Sequence, residues 1–155
     1  MLEEYASETL SLFRIKLVRE RKLGFKPEVA NNPSSSARIL SSFFKDKDRE
    51  HFVVLAVDVK LHLLGLHVVA IGTLDKVLIS PREVFKFALL CNAGGVILGH
   101  NHPSGDPSPS SEDLSVTRQM VQAGKHLEIS VHDHLIIADK TRWVSLRETH
   151  PHLFD

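Results

Sequence analysis

Midway along the chain the sequence runs Val96-Ile97-Leu98-Gly99-His100-Asn101-His102-Pro103-Ser104-Gly105-Asp106-Pro107-Ser108-Pro109-Ser110-Ser111-Glu112-Asp113. Its start, with the two glycines before it, reads as a short apolar strand, Gly94 to Leu98. His100 and His102 follow, two residues apart, on chain leaving that strand. In extended backbone, residues i and i+2 point the same way, and Pro103 keeps His102 extended. Two imidazoles therefore project together from the carboxyl end of a strand, the end where open α/β sheets bind ligands. The loop from Gly99 to Pro109 carries three prolines, which lower the entropy cost of ordering it. A helix from about Ser110 to His126 follows. Asp113 lies in its first turn, where side chains tilt back toward the helix N-terminus and so toward the two histidines.

The flanking sequence alternates between strand and helix patterns. Leu12 to Val18 has Phe13, Ile15 and Leu17 on one face and Arg14 and Lys16 on the other, the period of a half-buried strand. Residues 19–33 read as a connector. Ser34 to Ser36 offer N-caps for a short helix carrying Ile39, Leu40, Phe43 and Phe44. Phe52 to Val57 is a continuous β-branched run, the pattern of a buried central strand. Leu63 to Gly72 forms a second strand and Thr73 to Ile79 a third extended piece. Ser80-Pro81-Arg82-Glu83 reads as a capping box opening a helix with Val84, Phe85, Ala88 and Leu89 on its buried side. Ile129 to Ala138 and Trp143 to Leu146 are the last strands. The expectation is an α/β sandwich around a mixed central sheet. It divides into residues 1–33 (a strand and connector belonging to the same fold), a domain over 34–148, and a tail over 149–155 without clear structure.

Composition excludes several classes. At 155 residues the chain is one domain with room for a single core. Its 43% hydrophobic and 25% charged residues are those of a folded globular protein. Lys plus Arg and Asp plus Glu are both 19, so no broad basic field holds DNA phosphates. DNA association is not supported by that balance. Apolar runs are too short to span a bilayer, so no membrane role is expected. The acidic start lacks the layout of a secretory signal, and Cys91 is the only cysteine, so the expected compartment is the cytoplasm.

Histidine is over-represented, with 10 in the chain. A His-x-His pair alone is common, Asp113 alone reads as a helix N-terminal acid, and Ser110 alone as an N-cap. Their conjunction carries the signal. Two neutral nitrogens and one carboxylate suit Zn²⁺ with a position left open for water, the mark of a catalytic rather than a structural site.

The string His100-x-His102, seven residues, Ser110, two residues, Asp113 resembles the JAMM signature of the MPN/JAB metalloprotease superfamily. The fuller text from His100 to Ser110 is similar to the RadC family within it, as are Gly72-Thr73, Pro81-Arg82-Glu83, Asp133-His134 and Val144-Ser145. The resemblance covers about residues 40–147. It implies a cytidine-deaminase-like α/β/α fold and a zinc site held by His100, His102, Asp113 and water. RadC proteins of full length carry a helix-hairpin-helix region that this chain starts too late to contain, so it looks like the short RadC-like proteins found with mobile elements.

The resemblance also implies a glutamate general base at the start of an early core strand. Glu50, immediately before His51-Phe52-Val53, fits that place; Glu83 competes, but its position in the capping box accounts for it. Ser110 is a second catalytic candidate, as a donor to the oxyanion of a tetrahedral intermediate. Ser108 competes with it as the helix cap, and would leave Ser110 free. His132 and His134 form a second His-x-His without a third ligand at motif spacing, so Asp133 and His134 are expected to support the fold or the metal site's surroundings. The expected function is zinc-dependent hydrolysis of an amide or isopeptide bond in a protein or peptide substrate. The alternative is a RadC-type, DNA-repair-associated protein or nuclease accessory without peptidase activity. Oligomeric state is not readable from the sequence.

Overall fold

The computed structural model describes residues 10–24, 29–72 and 79–155. The elements in order are α1 (Pro33–Phe44), β1 (His51–Val57), β2 (Leu63–Ile71), α2 (Pro81–Leu90), β3 (Gly95–Asn101), α3 (Ser111–Leu127), β4 (Ser130–Ile137), β5 (Trp143–Ser145) and α4 (Leu146–Thr149), then a 3-10 turn at Pro151–Leu153. The five strands form one mixed sheet in the order β2-β1-β3-β4-β5. β1 is antiparallel to both β2 and β3, β3 is parallel to β4, and β5 returns antiparallel on β4. Among the described strands the only parallel pair is the one joined through α3, as a strand-helix-strand crossover requires.

Both faces of the sheet are covered, which is why β1 and β3 are buried at every residue and read as continuous apolar runs rather than alternating ones. One face carries Phe52, Val54, Val96, Leu98 and Ile136 against Val84 and Phe85 of α2 and Met120 and Val121 of α3. The other carries Val53, Leu55, Ile97, Leu135 and Ile137 against Ile39 and Leu40 of α1. The architecture is thus α/β with helices on both faces of a mixed sheet, as expected. In β4 the side-chain alternation is reset near His132, where the register against β3 shifts between Val96 and Ile97. Val131 therefore faces the α2/α3 layer and Leu135 the α1 layer, although both are odd-numbered.

Four expectations need correction. Leu12 to Val18 is not a strand: residues 10–24 have no regular structure, and Phe13 and Ile15 are 83% and 75% exposed. The alternation is present, but no described strand pairs with it, and period alone supplies no hydrogen-bond partner. The cap of α1 is Asn32, not a serine of 34–36; its Oδ1 accepts the Ser35 N–H at 2.8 Å and Pro33 takes the first helical position. In α2, Ser80 Oγ accepts from Arg82 N–H, and the Glu83 carboxylate is taken by Lys86 at 2.7 Å, so the box is not closed. The tail is structured: Leu153 and Phe154 are buried in the α2/α3 layer, and Arg147 stacks on the Phe154 ring. The extended piece expected at 73–79 lies almost wholly outside the described residues.

β3 runs three residues further than expected, to Asn101, so His100 is inside the sheet. Helix α1 reaches the strand just before it. A Cβ on Gly99 would come within 2.7 Å of both Leu40 methyls, and Leu40 has no exposure through which to withdraw. Gly99→Ala should therefore lower stability by roughly 1–3 kcal/mol through overpacking. Thermal and urea melts of the two proteins measure it; an unchanged midpoint would show that α1 is not seated on β3.

Candidate metal centre

The site forms where β3 ends and α3 begins. Val96, Leu98 and His100 share the face of β3 that meets α3. His100 is fully buried, paired across the sheet with Phe52 of β1 and Ile136 of β4. The Phe52 ring lies nearly parallel to the imidazole, 13° between planes with centroids 6.0 Å apart. His102 stands one residue past the strand, and its N–H still bonds to Ile137 O at 2.9 Å, which holds the backbone on the line of the ladder.

Asp113 is brought back by the loop and by a reciprocal cap. Ser110 Oγ accepts the Asp113 N–H at 3.1 Å, and Asp113 Oδ2 accepts the Ser110 N–H at 2.8 Å. Ser110, not Ser108, is thus the N-cap; the Ser108 N–H is bound to Asp106 Oδ1. The loop is further tied by Gly105, which turns at φ +87° and receives Arg142 Nη1 on its carbonyl.

The three side chains converge. His100 Nε2 and His102 Nε2 are 2.9 Å apart. Asp113 Oδ1 is 3.1 Å from His100 Nε2, and Oδ2 is 3.6 Å from His102 Nε2. One ligand atom from each residue lies within 4.8 Å of the others. His102 Nδ1 faces the Asp106 carbonyl at 2.8 Å. A carbonyl only accepts, so Nδ1 donates and a neutral His102 turns an unprotonated Nε2 inward. Asp113 Oδ1 is buried and has no hydrogen-bond partner; it lies 3.1 Å from His100 Nε2 without an aligned bond. Two imidazole Nε2 atoms meeting beside a buried carboxylate oxygen without a partner suit a cation bound between them. His100, His102 and Asp113 can hold a metal ion.

Charge and burial act strongly here. Burial alone would raise Asp113, but the imidazoles of His100 and His102 outweigh it and hold the carboxyl far below the usual carboxylate range. The same carboxylate raises His102 above the ordinary imidazole value, against the effect of burial. Burial pushes the enclosed His134 well below it, and half-buried His132 also below.

Glu50 immediately precedes β1, the strand next to β3. It lines a cleft of about 330 Å³ with His102, Ser104, Asp106, Ser108, Ser110 and Glu112, and its charge contributes to raising His102. Both Glu50 and Ser110 therefore border the candidate ligands, whereas Glu83 sits exposed in α2 beside Lys86. A larger hollow of about 530 Å³ lies at the other end of β4, around His132, Arg147 and Phe154, away from the ligands.

Two supports were not identified from sequence. Asn101 brackets Glu50: its Oδ1 accepts the His51 N–H at 2.7 Å and its Nδ2 donates to Arg49 O at 2.9 Å. Its place between the two histidines was the available signal, but the partner strand is fifty residues earlier. Thr117, one turn after Asp113, bonds to the Asp113 carbonyl and to His134, and His134 in turn to His100. Asp133 does support the fold, accepting from Ser145 Oγ and from the backbone N–H groups of His134 and Arg147.

The matching family model is the RadC-like JAB domain, over residues 30–151. Relatives include UPF0758 proteins of Desulfitobacterium hafniense, 46% identical over 120 residues (77% of this chain, 52% of the relative), and Moorella thermoacetica, 47% identical over 120 residues (77% and 52%). Another, from Methanococcoides burtonii, is 42% identical over 147 residues (92% and 62%). The chain belongs to the RadC-like JAB domain family. It spans about half the length of the Desulfitobacterium and Moorella relatives. No helix among the described residues is long and apolar enough to cross a membrane.

The opposed histidine shifts set a pH dependence for the metal-free protein. His102, raised when folded, contributes stability that is complete below its unfolded value of about 6.5 and lost as pH rises through the folded one. His134 and His132, lowered when folded, contribute stability present above about 6.5; it is lost as pH falls, because only the unfolded state takes up the protons. The melting temperature in chelator should therefore peak within the histidine range and fall on both sides. Melts from about pH 5 to about pH 8 test it; a steady rise or fall across that span would contradict the assignment.

Proposed function

We propose that this protein is a zinc-dependent hydrolase of the JAMM type, cleaving an amide or isopeptide bond in a protein or peptide substrate. The observation that carries the reading is the convergence of His100 Nε2, His102 Nε2 and the partnerless Asp113 Oδ1 beside a cleft bordered by Glu50. Two imidazole nitrogens and one carboxylate oxygen are a donor set suited to zinc with a position left open. When bound, zinc supplies Lewis acidity, which polarises a carbonyl and acidifies water. Membership of the JAB domain family supports amide hydrolysis over other uses of such a centre.

The chain's own groups divide the remaining work. Glu50 accepts the proton of a water in the cleft and returns it to the leaving amine. Asn101 holds the backbone on either side of Glu50, so the carboxylate approaches from a fixed origin. Ser110 serves both as helix cap and as oxyanion donor. As a cap its Oγ uses a lone pair, accepting the Asp113 N–H, which leaves the hydroxyl proton to donate to the oxyanion.

Zinc reconstitution at neutral pH should load about one ion per chain, and His102→Ala should lose most of it. Elemental analysis after gel filtration decides this; a wild-type protein that takes up no transition metal rules the proposal out.

Glu50→Gln should keep zinc, because Glu50 is not among the ligands, yet lose about 100-fold or more of turnover on a panel of peptide and isopeptide substrates. Loss of metal in that variant, or full activity, would remove Glu50 as the base.

A further inference from the structure

We infer that Thr117 and His134 form a relay that sets which nitrogen of His100 carries the proton, and so aims the His100 Nε2 lone pair at the ligand point. The inference rests on the reading of His100, His102 and Asp113 as a metal centre. His102 has a backbone carbonyl at its Nδ1 to fix its tautomer; at its own Nδ1, on the side away from Asp113 and His102, His100 has another imidazole, His134 Nε2 at 2.8 Å. An imidazole nitrogen can donate or accept, so by itself this contact leaves the proton undecided.

Thr117 decides it. Its Oγ1 lies 2.6 Å from the Asp113 backbone carbonyl and 2.6 Å from His134 Nδ1. A hydroxyl has one proton, and the carbonyl can only accept. That proton therefore goes to Asp113, and Thr117 must receive from His134 Nδ1–H. A neutral imidazole has one N–H, so His134 Nε2 is left as an acceptor. His100 must then donate from Nδ1, and its Nε2 is unprotonated and free to ligate. Were His134 inverted, its Nε2–H would donate to His100 Nδ1 and leave a neutral His100 protonated on Nε2, where the ion binds.

Packing removes the escape routes. His100, Thr117 and His134 are each fully buried, so water cannot replace a lost partner. Phe52 lies along the His100 ring and meets His134 edge-on at 5.4 Å, which restrains reorientation of either ring. The relay also closes a loop between ligands: it starts at the backbone of Asp113 and ends at the ring of His100. Groups that orient ligating histidines in this way typically change metal affinity by about 10- to 100-fold when lost. Thr117 and His134 are positioning residues, since neither reaches the ligand point.

The test is ¹⁵N nuclear magnetic resonance of the full chain labelled at histidine, in chelator at about pH 8, above the ordinary imidazole range. Two-bond correlations identify the protonated nitrogen of each ring; His134 and His100 should both carry it on Nδ1. Thr117→Val, of nearly the same shape, removes the acceptor. It should move His134 toward the Nε2–H form and weaken zinc by about 10- to 100-fold in competition with a chromophoric chelator. Thr117→Ser should restore both readings. A wild-type His134 protonated on Nε2 overturns the relay, as does a folded Thr117→Val that binds zinc like wild type with its histidine spectrum unchanged. If wild type shows the stated tautomers but takes up no zinc, the relay stands and the metal reading fails.

Discussion

Asp113 Oδ2 accepts the backbone N–H of Ser110, and that bond decides where the other oxygen points. The carboxylate is committed on one side to closing the N-terminus of α3, so Oδ1 is turned into the protein toward His100. A helix needs its first N–H groups satisfied wherever it begins. Here the residue that answers this need also faces two imidazoles, so forming the helix and forming the site are one event. Every other part of the centre is placed with respect to that corner: β3 delivers His100, the 103–109 loop holds His102, and the second turn of α3 brings Thr117 under both.

The arrangement is expensive to assemble. His100, Asp113, Thr117 and His134 are almost wholly withdrawn from water in the same layer as Phe52, Leu98 and Ile136. Burying such groups without partners costs several kcal/mol, on the order of 2–7 for each unsatisfied one. Thr117, His134 and His100 meet that demand by bonding to one another and to the Asp113 carbonyl. Asp113 Oδ1 alone is left over among the buried side-chain atoms described. A network satisfied everywhere except at one carboxylate oxygen, on the side where two imidazole nitrogens meet, concentrates its remaining electrostatic demand at a single point.

Local pattern sufficed for much of this. The continuous apolar run of β1, the strand before His100, the helix after Ser110 and the direction of Asp113 in its first turn all follow from periodicity and capping chemistry. These properties are carried by neighbours in sequence. Local pattern is silent where the decisive partner is distant. Leu12 to Val18 has the alternation of a strand, but a strand exists only if another one pairs with it, and residues 10–24 are exposed chain. Nothing within residues 149–155 signals the burial of Leu153 and Phe154, because the α2/α3 layer that covers them is distant in sequence.

The sequence by itself determined that His100, His102 and Asp113 converge, because they and the cap Ser110 lie within one strand-loop-helix unit whose geometry is local. Tertiary structure alone decided what surrounds that set. The antiparallel pairing of β1 with β3 carries Asn101 to Arg49 and His51, and so places Glu50 at the cleft. The parallel pairing of β3 with β4 sets His134 against His100, and a register shift near His132 puts His134 on the face where Thr117 can reach it. A hydrogen bond across 34 residues depends on strand register, and a one-residue slip would turn His134 to the opposite face of the sheet.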